Sequence, residues 1–361
     1  MIRPIAALLL LLTAVTPALA LGDADYSAAV AATAKGEIIP AYQALEQAAG
    51  SLQGGLGSLC KAPSAATLGE TQKQFADFAA AWAKIQFVSF GPVFEHQRAF
   101  RIEYWPDKRN VVGRQIADVL KKEDKTALEP EHFAATTVGV QGLPALDRLL
   151  FEENALANVE PGGFRCALFA AIGVNLKAIA HDIATGWTDG DSSFLARIEH
   201  PNEDDQELPS GRDAAGRLLN DLLTALIAMR DMKLLAPLGE SLEKAKPMAA
   251  EFWRSGQSIA MLTANLQGLR ALFGTDHGLG GLLAAQPDGK ATTDAMIAAI
   301  DQASSTLGQI ALPLDKAVID PTQRKQVEAL AVQLAKLRDV LAGPVATKLN
   351  LPIGFNALDG D

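Results

Sequence analysis

Val140-Gln141-Gly142-Leu143-Pro144-Ala145-Leu146-Asp147-Arg148-Leu149-Leu150-Phe151 reads as the opening of a buried helix. Gly142 permits a tight entry, and Pro144 suits the first helical turn, where its missing N–H costs nothing. Asp147 lies where a negative charge meets the positive end of the helix dipole. Leu146, Leu149 and Leu150 recur at helical spacing, so one face must be covered. Taken alone, the stretch is a structural N-terminus.

The same periodicity extends in both directions. Tyr26 to about Leu59 is helical in character, bent or restarted at Pro40 and followed by a loop at Gly54–Gly57. In Leu68–Val88, Phe75, Phe78, Trp82 and Ile85 fall at helical spacing and read as core. A short helix is expected from Val111 to Lys121, and a long one from about Gly163 to Trp187. Cys166, Phe169, Gly173, Leu176, Ala180, Ile183 and Trp187 form a stripe on that long helix, with His181 flanking it as a surface histidine. Further stripes run through Leu218–Met229, Phe252–Phe273 and Thr322–Leu341. The fold class expected is all-α, two helical bundles of long antiparallel helices. The clearest junction is polar and acidic, with Asp189-Gly190-Asp191, Pro201, and then Glu203, Asp204, Asp205 and Glu207. It divides the chain into a bundle at 21–195, a linker at 196–211 and a second bundle at 212–361.

Residues 1–20 read as a cleavable signal peptide, with Arg3, an apolar run Ile5–Val15, and Ala18-Leu19-Ala20 as the cleavage site. That run is shorter than the roughly 20 residues of a spanning helix. No second long apolar run is read, so no membrane span is expected in the mature chain. Acidic residues outnumber basic ones by 42 to 32, and no basic cluster stands out, which argues against nucleic acid as a partner. The chain has 2 cysteines, Cys60 and Cys166, and in an exported protein an even pair is expected to be bridged. Such a bridge closes a loop of about 100 residues, worth roughly 4–5 kcal/mol on the chain-entropy model.

Motifs exclude more than they assign. There is no His-Glu-x-x-His or its inverse, no Gly-x-Ser-x-Gly elbow, and no histidine identifiable as partner to either cysteine. The Gly-rich run Gly274–Gly281 has no strand before it and no Lys-Ser/Thr after it, so phosphate cradling is unsupported. His200 beside its acids, and Asp359 with Asp361, match no calcium-loop spacing.

Gly142-x-Pro144-x-x-Asp147 does, however, resemble a degenerate form of Gly-x-His-x-x-Glu, the motif of the imelysin-like family of bacterial envelope proteins. Four other segments are similar to that family: Ile38–Leu45, Phe100–Asn110 with its Tyr104-Trp105-Pro106-Asp107, Phe252–Ser258, and the terminal Leu351–Asp361. The resemblance implies two all-helical bundles with the motif in a cleft near their junction. Some members carry a peptidase label, and others accompany periplasmic iron uptake.

In the intact motif an imidazole and a carboxylate three residues apart share a helix face and converge on a metal. Here the histidine position holds Pro144, whose side chain offers no ligand atom. Asp147 stays as the one candidate metal ligand, and would have to recruit Glu103 or Asp107. The candidate binding cleft comprises Gly142, Pro144 and Asp147, with Arg101, Glu103, Trp105, Asp107 and Arg109 on the facing segment. The expected function is a non-catalytic periplasmic binding or accessory protein in iron or other metal acquisition. Iron or another divalent metal is the implied cofactor, and another periplasmic or envelope protein of a metal-uptake system the implied partner. The alternatives are a metallopeptidase of the imelysin type and a partner-docking envelope protein without metal.

Overall fold

The computed structural model describes residues 21–354. The expected signal peptide and the terminal family-like segment from Phe355 onward lie outside the described residues. Ten principal helices make the frame: α1 (Asp23–Thr33), α2 (Ile39–Lys61), α3 (Ala65–Ile85), α4 (Val111–Lys122), α5 (Leu143–Phe151), α6 (Phe164–Thr188), α7 (Gly211–Ile227), α8 (Ser258–Phe273), α9 (Gly289–Gly308) and α10 (Gln323–Val340). Shorter helical turns join them, and no strand occurs among the described residues.

Local chemistry sets these boundaries. Ser64 opens α3 through a reciprocal cap, its hydroxyl accepting the Thr67 N–H at 3.1 Å while its own N–H donates to Thr67 Oγ1 at 3.0 Å. Pro40 does not stop the chain's first helix. A single π turn, Ala34–Ile38, bridges α1 and α2 and puts Pro40 at the second position of α2. The wider turn re-routes the hydrogen bonds that a proline interrupts. The same device precedes Pro237 (Ala228–Leu235) and contains Pro344 (Leu341–Val345).

Gly54–Gly57, expected as a loop, lies inside α2. The glycines there serve packing: a Cβ on Gly55 would stand 1.7 Å from Gln74 Oε1 on α3. In the first half, α2 is sandwiched between α3 and α6, and the Cys60–Cys166 disulfide fastens the end of α2 to the start of α6. With 25 residues, α6 is long and apolar enough to cross a membrane by length and composition, contrary to the expectation of no second apolar run. Within the fold it is the central helix of its bundle, with 56% of its apolar window buried.

The two halves share one continuous apolar core. The N-terminal α1, grouped with the first bundle by its place in the sequence, packs on α7 of the second. Tyr26 of α1 donates to the Leu349 carbonyl at 2.8 Å, 323 residues along the chain. Farther down, α3 packs on α8, where a Cβ on Gly268 would fall 1.9 Å from the Lys84 carbonyl oxygen. The acidic stretch expected as a linker is folded. Asp205 takes both forks of Arg197 at 2.7 and 2.8 Å and the main-chain N–H groups of Glu207 and Leu208, while Glu207 accepts the Gly91 N–H at 3.1 Å. A run of acids reads as a solvated tether only while its hydrogen-bond partners are out of view.

A candidate ligand cavity between the two halves

A cavity of about 750 Å³ opens where the halves meet. Its walls are Tyr104–Lys108 with Asn110, the first turns of α5, the end of α7 with the π turn that follows, and the loop Met248–Arg254. Three of these four walls carry segments that resemble the imelysin-like family in sequence. Gly142 explains why α5 starts here. Its backbone is ordinary extended chain (φ −125°, ψ −162°), so the glycine is needed for space: a Cβ would lie 2.2 Å from the Ile102 carbonyl oxygen. The close approach seats α5 beside the Tyr104–Asn110 wall.

Asp147 is buried at the base of the cavity. Its Oδ1 accepts the main-chain N–H of Ser255 at 3.1 Å, and Oδ2 lies 3.9 Å from a guanidinium nitrogen of Arg254. Burial pushes its carboxyl pKa up, and the Ser255 hydrogen bonds with Arg254 and Arg148 oppose that rise. Asp107 holds α4: its two oxygens accept the Val111 and Val112 N–H groups at 2.6 and 3.0 Å, satisfying donors that a helix start leaves open. Trp105 precedes a cis Pro106 and both line the wall. Phe252, also on the wall, has a left-handed backbone (φ 49°), a costly conformation for a bulky residue. Its ring meets Phe75 of α3 edge-on at 5.7 Å, and its carbonyl accepts the Ser255 hydroxyl at 3.1 Å.

Of the residues expected at the cleft, Pro144, Asp147, Trp105 and Asp107 line this cavity, and Gly142 shapes it from behind. Arg101 points elsewhere, donating to Gln141 Oε1 at 2.9 Å and Asn175 Oδ1 at 2.6 Å. Arg109 is exposed and does not line the cavity. Glu103, buried like Ile102 before it, turns inward to donors on and just after α3. It accepts Trp82 Nε1 at 2.8 Å and Gln86 Nε2 at 3.2 Å.

Behind the cavity wall, Glu103 joins a buried cluster with Glu251 and Lys233, whose side chains are almost wholly enclosed. The Lys233 ammonium reaches Glu251 at 2.8 Å, Asn265 Oδ1 at 2.8 Å and Gln86 Oε1 at 3.0 Å. Burial, and then the charge of Glu251, push the Glu103 pKa well up, while Lys233 pulls it down. This cluster ties both wall segments, through residues 103 and 251, to α3 and α8. No pattern in the sequence marks Lys233 or Glu251 as buried partners.

Sequence reading also passed over Arg148, Trp253 and Arg254. Arg254 stacks over the Trp253 ring at 4.3 Å, and Arg148 donates to Asn110 Oδ1 at 2.8 Å. The adjacent Trp-Arg pair inside a family-like segment was the available signal.

The family's motif implies a metal, and the residues here do not fit one. Pro144 stands at the imidazole position, Asp147 faces an arginine, and both oxygens of Asp107 are held by helix N–H groups. Among the described residues no three His, Cys, Asp or Glu side chains come together as a metal-binding group. The ligand set of a transition-metal site needs several such donors converging.

These features define an all-helical protein with a ligand-sized cavity at the meeting of two bundles. The model of the imelysin family, which carries a peptidase label, matches residues 38–341, and the chain belongs to that family. Two solved structures share the fold. An imelysin-like protein from Psychrobacter arcticum 273-4 is 21% identical, with a TM-score of 0.75, covering 94% of this chain and 100% of its own. A protein named provisionally as an iron-regulated protein A precursor, from Parabacteroides distasonis ATCC 8503, is 14% identical, with a TM-score of 0.73 and coverage of 91% and 96%. No curated protein matches the chain.

Proposed function

We propose that the protein is a periplasmic, non-catalytic binding protein of the imelysin family, accessory to iron or other metal acquisition, and that its ligand enters the cavity between the halves. The observation that carries this reading is the cavity itself. Its size is that of a small-molecule site, and it lies between two domains' worth of helices with a few polar groups on otherwise apolar walls. Asp147 and Asp107 are engaged in holding backbone and Asp231 pairs with Arg230, which favours recognition over hydrolysis. The link to iron draws on one structural relative, itself named as iron-regulated, and the periplasmic location on the signal-like residues 1–20. A partner protein of the same envelope system would receive what the cavity holds.

The test is complementation in the native organism. A strain lacking the protein should grow poorly when iron is chelated, and the wild-type gene should restore growth. Ala249→Trp, which fills the cavity from its wall, should not restore it although the protein accumulates normally. Full rescue by that variant would remove the cavity from the function.

A further inference from the structure

We infer that the cavity takes an organic anion, a carboxylate on an apolar body, with Arg254 gripping the carboxylate and Arg148 supporting it. The inference rests on the reading of the cavity as a ligand site and adds the chemistry of what occupies it. Among the described residues the Arg254 guanidinium has no hydrogen-bond acceptor, and Asp147 Oδ2 stands off at 3.9 Å. The guanidinium carbon sits over the Trp253 ring, 4.3 Å from its centroid, a cation–π contact that leaves the N–H groups for a two-point contact with a carboxylate.

The carboxylates around it have other hydrogen-bond partners. Asp107 is taken by two N–H groups at the start of α4, Asp231 pairs with Arg230 at 2.7 Å, and Asp147 accepts from Ser255. Arg148 spends one nitrogen on the neutral Asn110, and its Nε is buried with no partner among the described residues. Desolvation first, and then Arg148, lower the Arg254 pKa, opposed by Asp147 and Asp107. Two like charges held together in a half-buried wall are relieved by an anion between them. Exposed Lys108 adds a third cation at the mouth. The lining carries three cations, Lys108, Arg148 and Arg254, against three carboxylates, Asp107, Asp147 and Asp231, in a chain whose net charge is −10. Ile227, Met232, Phe252 and Trp105 supply apolar surface for the body of the ligand, and Met248, largely exposed, rims the entrance.

Calorimetry of the purified protein with 2-naphthoate and its uncharged analogue 2-naphthamide separates the charge from the body. We expect 2-naphthoate to bind at one site per chain at least about ten-fold more tightly than 2-naphthamide, a difference of about 1.4 kcal/mol. Arg254→Gln should erase that difference while leaving 2-naphthamide binding unchanged, which also shows that the variant is folded. Arg254→Lys, keeping the charge without the fork, should fall between. Equal binding of the two probes, or equal loss of both in Arg254→Gln with Arg254→Lys matching the wild type, overturns the anion inference and leaves the cavity reading in place. Failure of both probes to bind overturns both readings.

Discussion

The Asp147 carboxylate accepts the main-chain N–H of Ser255 at 3.1 Å across 108 residues of sequence, joining the first turns of α5 to the loop that closes the cavity. The residue that a family motif marks as a ligand is here a strut between two walls. Arg254, next in the chain to Ser255, lines the cavity with its guanidinium 3.9 Å from the same carboxylate.

Removing that strut should loosen the site. Asp147→Ala leaves a partly buried N–H without its acceptor, which costs about 1–3 kcal/mol. Asp147→Asn keeps an oxygen in place and should recover most of the loss. Denaturant midpoints of the two variants check this, and equal losses would show that the Ser255 contact carries no weight.

The buried Lys233 should behave as a charge that its surroundings require. Lys233→Met leaves Glu251 and Glu103 enclosed without a cation, and an uncompensated buried charge costs about 3–5 kcal/mol. Adding Glu251→Gln to Lys233→Met should restore part of the stability. A double variant whose loss equals the sum of the single losses would show that the two side chains are uncoupled.

Asp221 gives a pH dependence of definite sign. It is buried on α7, accepts the Ser89 N–H at 2.8 Å, and burial raises its pKa from 3.8 to about 7. Between those values the folded state holds the proton more tightly than the unfolded chain, so stability is fully present below the lower value and lost as pH rises through the upper one. The melting temperature should therefore fall from pH 5 to pH 8, and Asp221→Asn should flatten part of that fall. Glu103 and Asp147, also raised by burial, act with the same sign and keep the rest. An unchanged slope in Asp221→Asn would contradict the assignment.

The Cys60–Cys166 bridge spans 106 residues and joins the end of α2 to the start of α6. On the chain-entropy model a loop of that length is worth roughly 4–5 kcal/mol. Cys60→Ser with Cys166→Ser should lower the unfolding midpoint by an amount of that order. A midpoint within experimental error of the wild type would show that the core alone fixes these helices.

Much of this architecture was legible in the sequence because a helix stripe is a local property. Leu146, Leu149 and Leu150, or Phe75, Phe78 and Trp82, carry their burial in their spacing. The bridge was legible from an even pair of cysteines behind a signal-like N-terminus. What escaped was whatever depends on partners far along the chain. Glycine punctuation at Gly54–Gly57 looks like a loop until α3 is packed against it, and the acids at Glu203–Glu207 look solvated until Arg197 and Gly91 are in place. Glu103 and Arg101, two residues apart beside the cavity, turn away from it for the same reason: Trp82 and Gln86 wait on one side, Gln141 and Asn175 on the other. Asp107 was expected as a ligand and is a helix cap, a distinction that only its hydrogen bonds make. Arg254 gains its role from Trp253 beneath it and Asp147 opposite, neither of which is a spacing.

The most direct measurement is native mass spectrometry of the protein isolated from its own iron-limited cells. The wild type should carry a small-molecule adduct of one per chain that is absent from Ala249→Trp, whose cavity is filled. An adduct of the same mass on both proteins, or none on the wild type, would contradict a ligand held between the two halves.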